Sequence, residues 1–335
     1  MIEKILVVRQ DRVGDVVLMT PLLESLRNIF PKAFIAVYVR EAVSSILKNN
    51  PHINEIIFVN ENIYKSKKEL FKESLRLRKY HFTKAIIPLP EKEIAYLTFL
   101  SAIPKRFTFS RKPFNLITFS KILNKSYNPP RHEFDYMMDF ARLFDKNISS
   151  PIPKIYLTDD EINKSKNILI EIGIDISKPI IGINPGSGGS VPNWSLENYL
   201  KLTEKLSNDF QIIVNIGSNE LELKNEMSKI KNKNIFIVTP KLRDLILICS
   251  NLKLLVSSST GTMHIAAALG TSTLTFYCPL KVCSPKVWGA LGNFSTNIVA
   301  SETFCNDICI NNSRQCTLSE ISVESVYQNI LNLVN

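Results

Sequence analysis

Residues 252–270 carry the sequence Leu-Lys-Leu-Leu-Val-Ser-Ser-Ser-Thr-Gly-Thr-Met-His-Ile-Ala-Ala-Ala-Leu-Gly, and this stretch decides the fold. The apolar run Leu252–Ser257 predicts a strand, Gly261 predicts a turn, and the small residues after it predict a helix that ends at Gly270. A strand that passes through a short turn into a helix is the repeating unit of parallel α/β proteins.

The same alternation of strands and helices extends over the rest of the chain. Further strands are predicted at Ile5–Arg9, Phe34–Val39, Glu55–Val59, Lys84–Pro88, Ile180–Asn184, Gln211–Ile216, Ile235–Val238, Thr273–Tyr277 and Asn297–Ala300. Several of them are apolar at consecutive positions, which is typical of strands covered by helices on both faces. The sequence therefore predicts an α/β protein with two Rossmann-like, doubly wound domains that face a cleft. In such sheets, ligands bind beyond the carboxyl ends of the strands.

The boundary between the two domains is predicted in the segment Asn147–Lys154. Two prolines lie two residues apart there, and they favour an extended connector. We expect a first domain over residues 1–150 and a second over 151–320. Thr158–Glu161 predicts a capping box that opens a helix of the second domain. Apolar residues at 323, 326, 330 and 333 predict a closing helix within 321–335.

Composition excludes several classes of protein. The 335 residues are 45% hydrophobic and 21% charged, as in ordinary globular proteins, so an intrinsically disordered chain is excluded over most of the length. No uninterrupted apolar run is long enough for a membrane span. The N-terminal residues enter a strand pattern directly and lack the apolar core of a signal peptide. We therefore expect a cytoplasmic protein without stable disulfides.

The net charge of +10 is unevenly distributed. Residues 1–155 hold 26 Lys and Arg against 15 Asp and Glu, and the remainder is nearly neutral. This excess predicts an acidic partner for the first half. Nucleic acid, an anionic membrane surface and a phosphorylated substrate all remain open. So does a lysine-rich composition without functional meaning, as an AT-biased genome would produce.

The loop Arg9–Val17 follows the first predicted strand. Gly14 would permit a tight turn and Asp15 would then open the next helix as its N-cap. The functional interpretation makes Asp15 a carboxylate that faces the cleft and takes a proton from a hydroxyl group, with Arg9 and Arg12 keeping it ionised. Pro21 predicts a kink in the helix or a restart capped by Thr20.

Three loops of the second half are candidates for contact with a ligand. Ile183–Ser195 carries three glycines and, before the helix that is predicted to start near Ser195, two serines, so its backbone amides could approach a phosphate, although an ordinary flexible turn has the same composition. Ser257–Gly270 places hydroxyl groups at a helix N-terminus, which suits a pyrophosphate. His264 would donate to a phosphate oxygen or simply pack in the core. Glu220, in Gly217–Glu220, would accept from sugar hydroxyls or cap a helix.

Cys305, Cys309 and Cys316 form a cluster near the C-terminus. Structural zinc sites normally show paired Cys-x-x-Cys spacing, which this cluster lacks. We therefore predict no metal.

Taken together, these motifs resemble the glycosyltransferases of family 9, the ADP-heptose:lipopolysaccharide heptosyltransferases. The resemblance covers nearly the whole chain. The segments that carry it are Arg12–Val17 with Thr20–Leu23, Gly186–Trp194, Thr260–Gly270, and the cysteine cluster with Ile321–Val323.

The resemblance implies a GT-B architecture and inverting, metal-independent transfer without a cofactor. The donor would be ADP-L-glycero-D-manno-heptose and the acceptor an acidic glycolipid, the inner core of lipopolysaccharide. The enzyme would be cytoplasmic, in peripheral contact with the inner membrane, and would bind no nucleic acid. The closing helix would pack back on the first domain.

The resemblance also implies roles for individual residues. Asp15 would be the general base, and Arg9 or Arg12 would supply charge to the acceptor or to a phosphate. The donor would be lined by Ser187, Gly188, Glu220, Ser259, Thr260, Gly261, Thr262, Met263 and His264.

Two positions depart from the pattern of the family. Asn193 stands where many members have Lys or Arg, and Ser259 stands where many have Asp. A charged hydrogen bond to the diphosphate and a polar contact to the sugar would both differ here. Two alternatives therefore stay open, namely a different nucleotide-sugar donor and a non-catalytic protein that binds sugar nucleotides or glycans. A basic nucleic-acid-binding protein is a third, but the sequence lacks a recognition motif for it.

Overall fold

The structure is a computed structural model that describes residues 2–126, 128–189, 191–292, 294–303 and 317–334. The chain divides into two compact units, Met1–Lys154 and Ile155–Asn335. This division falls at the end of the predicted connector Asn147–Lys154. Each unit contains one parallel sheet, as the alternation of strands and helices predicts.

The first unit is built on a six-stranded parallel sheet of order β3-β2-β1-β4-β5-β6. Its strands are β1 (Lys4–Val8), β2 (Phe34–Val39), β3 (Glu55–Phe58), β4 (Lys84–Ile87), β5 (Lys105–Thr108) and β6 (Lys121–Ile122). The sequence predicts the first four and misses the last two. β5 carries two basic residues and β6 is only two residues long, so neither has the apolar run by which a buried strand is identified.

Helices cover this sheet. They are α1 (Val13–Ile29), α2 (Glu41–Ser44), α3 (Lys67–Arg78), α4 (Lys92–Leu100), α5 (Pro113–Ile117) and α6 (Glu133–Arg142). Helix α1 packs against α6, and α3 packs against α4. One core cluster lies between the sheet and α3 and α4, with Leu6, Tyr38, Leu77 and Ile94 among its buried members.

Helix α1 differs from its prediction at two points. It begins at Val13 with Arg12 as the N-cap residue, so Gly14 and Asp15 lie inside its first turn and the predicted N-cap role of Asp15 is wrong. It also continues through Pro21 without a restart at Thr20. Pro21 has no amide hydrogen for the carbonyl of Val17, and the Thr20 hydroxyl donates to that carbonyl instead, at 2.8 Å.

The second unit repeats the architecture with a six-stranded parallel sheet of order β12-β11-β10-β7-β8-β9. Its strands are β7 (Ile180–Asn184), β8 (Gln211–Asn215), β9 (Ile235–Val238), β10 (Leu254–Ser258), β11 (Ser272–Tyr277) and β12 (Ser295–Val299). All six match strands predicted from the sequence, with boundaries that differ by at most two residues. Strands β7 and β10 are buried along their whole length.

The described helices of the second unit flank this sheet. They are α7 (Asp159–Glu171), α8 (Leu196–Leu206), α9 (Leu221–Met227), α10 (Leu242–Cys249), α11 (Gly261–Ala268), α12 (Pro285–Trp288) and α13 (Val323–Val334). The predicted capping box at Thr158 is confirmed, since the Thr158 hydroxyl accepts from the amide of Glu161 and the Glu161 carboxylate accepts from the amide of Thr158.

The closing helix α13 belongs to the second unit. It packs against α8, and Val326 and Ile330 are fully buried in the core of that unit. The Trp194 indole donates to the carbonyl of Ile321 at 2.9 Å and fixes the entry to α13. Packing of this helix on the first domain stays a prediction.

Among the described cysteines, Cys249 and Cys278 are buried. Cys305, Cys309 and Cys316 lie outside the described residues. Across the described ranges, no helix combines the length and apolar character that crossing a bilayer requires.

Candidate active site

In the first unit, the strand order reverses between β1 and β4, and the loops that follow these two strands meet at the carboxyl edge of the sheet. Gln10, directly after β1, donates to the carboxylate of Glu91, directly before α4. Tyr64 donates to the same carboxylate at 2.8 Å. Such a reversal opens the crevice in which doubly wound sheets bind ligands.

Arg9 lies at the centre of this edge. Its side chain is only 3% exposed, so its charge must be compensated inside the protein. One terminal nitrogen donates to Asp15 Oδ1 at 2.6 Å. Its Nε lies 2.8 Å from Asp11 Oδ1, an ion-pair contact without the alignment of a hydrogen bond. The other terminal nitrogen contacts the sulfur of Met137 at 3.5 Å. One guanidinium therefore holds two carboxylates.

The electrostatics of this cluster favour a charged Arg9. Burial by itself lowers the pKa of Arg9, but the negative charges of Asp11, Asp15 and Glu133 outweigh burial and raise it. Burial raises the pKa of Asp11 to about 7. Arg9 opposes this rise, while the charges of Asp15 and Glu133 add to it. Near neutral pH, Asp11 is therefore the member of the cluster that carries an exchangeable proton.

Asp15 stands third in helix α1, with its side chain 16% exposed. An acidic residue in a first turn interacts favourably with the positive end of the helix dipole. Arg9 orients one of its carboxylate oxygens. Arg12, in contrast, is exposed and forms no ion pair with any residue that the structure describes. The structure thus brings Asp15 together with Arg9 but not with Arg12.

In the second unit, the strand order reverses between β7 and β10, and the loops after these strands are two of those predicted to bind the donor. Asn193 ties them together. Its amide donates to the carbonyl of Pro185 at 2.6 Å, and its side-chain oxygen accepts from the Ser258 hydroxyl at 2.6 Å. The Ser258 hydroxyl in turn accepts from the amide of Trp194 at 3.2 Å. Asn193 therefore braces the loop.

Helix α11 begins at this edge with its N-terminus open. Thr260 is the N-cap residue, but no side chain caps the amides of the first turn. The Thr260 hydroxyl is buried and has no hydrogen-bond partner among the described residues. A buried polar group without a partner is costly unless a ligand or water satisfies it. Uncapped amides and a hydroxyl without a partner are the groups from which an anion can accept hydrogen bonds.

The residues that follow Thr260 differ in what they can offer. Gly261 and Thr262 are half-buried in the first turn of α11. Met263 is fully buried, so its backbone amide is the group it can present. His264 is 5% exposed, and its ring lies 6.5 Å from that of Trp288 in an edge-on contact. Ser259 forms a hydrogen bond with Tyr277.

The glycine loop after β7 is open at its tip. Gly188 is exposed with φ +55°, and nothing lies within 4 Å of a Cβ built there. Ser187 is half-buried and donates to the carbonyl of Val191 at 3.4 Å. The open space around Gly188 leaves room for a ligand beside the backbone of the loop.

Glu220 follows β8, and its side chain lies against the base of the glycine loop. Its carboxylate accepts from the amide of Gly217 at 2.8 Å. It also lies against Gly186, where a built Cβ would stand 2.2 Å from the nearer oxygen. Glu220 takes the backbone position of an N-cap for α9, but its side chain does not cap that helix. It instead holds the two turns against each other.

Sequence reasoning missed several members of the first-unit cluster. Gln10 and Asp11 lie in the loop Arg9–Val17. Asp11 is a second carboxylate four residues before Asp15, and this spacing could have predicted that it belongs to the site. Glu91 and Glu133 enter from distant parts of the chain. Glu133 is 3% exposed and bound by Lys125 at 2.7 and 2.9 Å. Only the fold brings these groups together.

Comparison with known proteins shows the family of the chain. The model of glycosyltransferase family 9 (heptosyltransferase) matches residues 71–318. A Haemophilus influenzae protein named as a glycosyltransferase is 24% identical over 310 residues, which are 88% of each chain. Lipopolysaccharide heptosyltransferase 2 of Salmonella typhimurium is 23% identical over 295 residues, which are 82% of this chain and 83% of that one.

A solved structure is similar over the whole length. Escherichia coli ADP-heptose lipopolysaccharide heptosyltransferase II superposes with a TM-score of 0.81 at 19% identity, covering 99% of this chain and 98% of that one. Two parallel α/β units with this likeness define the GT-B fold. The chain belongs to glycosyltransferase family 9, and the fold and family predicted from its motifs are confirmed.

Proposed function

We propose that this glycosyltransferase moves heptose from ADP-L-glycero-D-manno-heptose to an acceptor in the inner core of lipopolysaccharide, with inversion and without a metal. The observation that carries the proposal is the open N-terminus of α11 beside the unpartnered hydroxyl of Thr260. This site suits a diphosphate. The choice of sugar and acceptor is supported by the names of the Salmonella relative and of the E. coli structure.

Asp15 is the general base of the proposed reaction. The acceptor hydroxyl oxygen attacks the anomeric carbon of the donor while its proton passes to the free oxygen of the Asp15 carboxylate. The bond from the anomeric carbon to the diphosphate breaks, and ADP leaves with that electron pair. A single displacement of this kind inverts the anomeric carbon. Arg9, at 2.6 Å from Asp15 Oδ1, positions the carboxylate for this step.

Stabilisation of the departing diphosphate falls to the second unit. The amides of Gly261, Thr262 and Met263 and the hydroxyl of Thr260 face the developing charge, and such preorganised donors substitute for a metal. In this proposal, Ser187 and Gly188 contact the phosphates from the other loop, and His264 donates to a phosphate oxygen. Glu220 lies near the ribose and Ser259 near the sugar.

Arg12 is proposed to supply positive charge to the acceptor or to a phosphate. It is exposed at the N-terminus of α1, without an ion pair inside the described ranges. The acceptor is an acidic glycolipid, and the protein works in peripheral contact with the cytoplasmic face of the inner membrane. The excess of basic residues in the first 155 positions suits such an acceptor.

A different nucleotide-sugar donor is the second candidate, and Asn193 favours it. The Asn193 side chain is occupied by Pro185 and Ser258, so this position offers no positive charge to a diphosphate. Many family members place Lys or Arg here. Ser259, which forms a hydrogen bond with Tyr277, likewise offers the sugar a hydroxyl group where many members of the family offer a carboxylate.

Thermal unfolding with a panel of ADP-heptose, ADP, UDP-sugars, GDP-sugars and NAD separates the two candidates. A ligand at 100 times its dissociation constant stabilises the folded state by about 2.7 kcal/mol. Selective stabilisation by ADP-heptose is the expected result. Preference for another sugar nucleotide would overturn the proposed donor, and binding without turnover on any acceptor would favour the non-catalytic alternative.

A further inference from the structure

Five large apolar side chains are exposed together in the first unit, at the end of α4 and around α5. We call them the apolar tip: Phe99, Leu100, Leu116, Ile117 and Phe119, whose exposed fractions are 39%, 38%, 57%, 60% and 80%. The rings of Phe99 and Phe119 lie 6.5 Å apart and join the two elements into one surface. Contiguous apolar groups at a protein surface mark a site of interaction.

Hydrogen bonds from a buried arginine fix the position of the apolar tip. Arg106 is buried and donates to the carbonyls of Thr118 and Ile103, so it ties the end of α5 to the loop after α4. The Arg106 guanidinium also lies 5.4 Å from the centre of the Phe99 ring. Phe119 has φ +52°, a conformation that is unfavourable for a bulky residue. The fold therefore presents Phe119 to solvent at a conformational cost.

The segment that carries the apolar tip is strongly basic. Residues 94–132 contain no Asp or Glu, and they contain seven Lys and Arg. The exposed members that flank α5 and β5 are Lys105, Arg111, Lys112 and Lys121. Leu100 also lines a cavity of about 470 Å³, whose wall contains three lysines and one carboxylate and therefore carries a net positive charge beside the tip: Lys65, Lys67, Lys92 and Glu93.

We propose that the apolar tip is the surface by which this protein docks on an anionic lipid bilayer, with Ile117 and Phe119 entering the interface and the flanking basic residues contacting lipid headgroups. This inference rests on the proposed function for the reason to be at a membrane and names the surface that makes the contact. Exposed apolar groups ringed by Lys and Arg are the combination that interfacial binding uses. The absence of acidic residues along the segment favours this occupant over a mixed-charge protein surface.

The test measures cosedimentation with vesicles of phosphatidylcholine alone and of phosphatidylcholine with phosphatidylglycerol. Phe119→Asn removes the most exposed ring, and Asn tolerates the positive φ, so the variant folds without strain. It is combined with Ile117→Ser. A second variant joins Arg111→Gln, Lys112→Gln and Lys121→Gln. Ile170→Ser and Lys178→Gln, both exposed in the second unit, are the matched controls.

We expect the wild type and both controls to bind the anionic vesicles more tightly than the neutral ones, and to lose that preference at high salt. The apolar variant should bind at least about tenfold more weakly, because two inserted side chains are lost. The variant without three charges should bind on the order of 100-fold more weakly, since each basic residue near an anionic surface contributes about fivefold.

Three results would overturn the proposal. They are no binding of the wild type to anionic vesicles, equal binding of the wild type and the variants, and a wild-type dimer that Phe119→Asn dissociates in the absence of vesicle binding. Vesicle binding needs neither donor nor acceptor. Sugar transfer measured on a lipid-free acceptor therefore shows separately whether the proposed function fails, and we expect all these variants to retain it.

Discussion

The central arrangement at the residue scale is one buried arginine between two aspartates. Arg9 lies 2.6 Å from Asp15 and 2.8 Å from Asp11, and the two carboxylates differ in their surroundings. Burial raises the pKa of Asp11 to about 7. When Asp11 is protonated, it no longer forms an ion pair with Arg9. The ion pair of Arg9 with Asp15, the proposed base, then remains. Asp11 thus influences how strongly Arg9 holds that base.

The raised pKa predicts how stability depends on pH. The ordinary pKa of Asp is 3.8, so between about pH 4 and pH 7 the folded protein holds a proton on Asp11 that the unfolded chain has lost. The free energy of unfolding therefore falls as pH rises through this window, by at most about 1.4 kcal/mol per pH unit from this group, and levels off above it.

Asp11→Asn removes this dependence. Urea unfolding at pH 5 and pH 7.5 should show that the variant gains stability relative to the wild type as pH rises, by about 1–3 kcal/mol. Asp145→Asn is the matched control, because Asp145 is exposed and Asn still accepts from the amide of Asn147. If the unfolding free energies of Asp11→Asn and the wild type differ by the same amount at both pH values, this result would contradict the raised pKa of Asp11.

A second residue-scale prediction concerns the contact between Gly186 and Glu220. A Cβ at position 186 would stand 2.2 Å from a Glu220 oxygen, so Gly186→Ala must displace that carboxylate from its bond to the amide of Gly217. We expect a cost of about 0.5–1.5 kcal/mol in unfolding free energy. Glu220→Ala alone should cost a similar amount.

The double variant shows whether the two changes share one cause. Since both lose the same bond, Gly186→Ala with Glu220→Ala should cost little more than either single variant. Additive costs in chemical unfolding would show that Gly186 is constrained by something other than Glu220.

At the scale of elements, helix α1 shows how a proline is accommodated. The carbonyl of Val17 loses its helical partner at Pro21, and the hydroxyl of Thr20 replaces it at 2.8 Å. The same hydroxyl accepts from the amide of Lys154 at 3.1 Å. Thr20 is 3% exposed, so water does not replace its hydroxyl at the buried carbonyl of Val17. The helix can therefore run unbroken from the proposed base to its end at Ile29.

Thr20→Val keeps the volume of the side chain and removes its hydroxyl. We expect a loss of about 1–3 kcal/mol in unfolding free energy, because the buried carbonyl of Val17 and the partly buried amide of Lys154 lose a partner. In a Pro21→Ala background, the amide of residue 21 can donate to the carbonyl of Val17. Thr20→Val should therefore lower the unfolding free energy by less in that background. An equal cost in both backgrounds, measured by urea unfolding, would contradict this account.

The elements also show what local sequence can predict. Long apolar strands such as β2 and β7 and the capping box at Thr158 follow from short-range rules, and the structure confirms them. Strands β5 and β6 were missed because they owe their place to pairing with β4 and with each other rather than to composition. The start of α1 was misplaced because Arg12, an unusual N-cap residue, precedes Gly14 and Asp15.

The candidate site was predictable where it depends on residues that are close together in the sequence. The loops after β1, β7 and β10 were found because each places polar or small residues directly after a strand. The bracing role of Asn193 was not found, since it depends on Ser258, 65 residues away. Glu133, whose negative charge raises the pKa of both Asp11 and Arg9, lies farther away still in the sequence, and no local pattern predicts it.

At the scale of the whole molecule, charge and chemistry are divided between the two units. The excess of 26 basic over 15 acidic residues falls in the first unit, together with Asp15 and the apolar tip. The second unit is nearly neutral and holds the open helix terminus and the unpartnered hydroxyl of Thr260. The proposed transfer from a nucleotide sugar to an acidic glycolipid would use these two different surfaces.

Transfer from ADP-heptose to an inner-core acceptor by the wild type and by Asp15→Asn tests the central claim most directly, with donor binding measured on the same samples. Asn keeps the size of the side chain and its contact with Arg9 but cannot take a proton. We expect turnover to fall at least about 100-fold, within the range of general-base catalysis, while the dissociation constant of the donor stays unchanged. Undiminished turnover by Asp15→Asn would contradict the account.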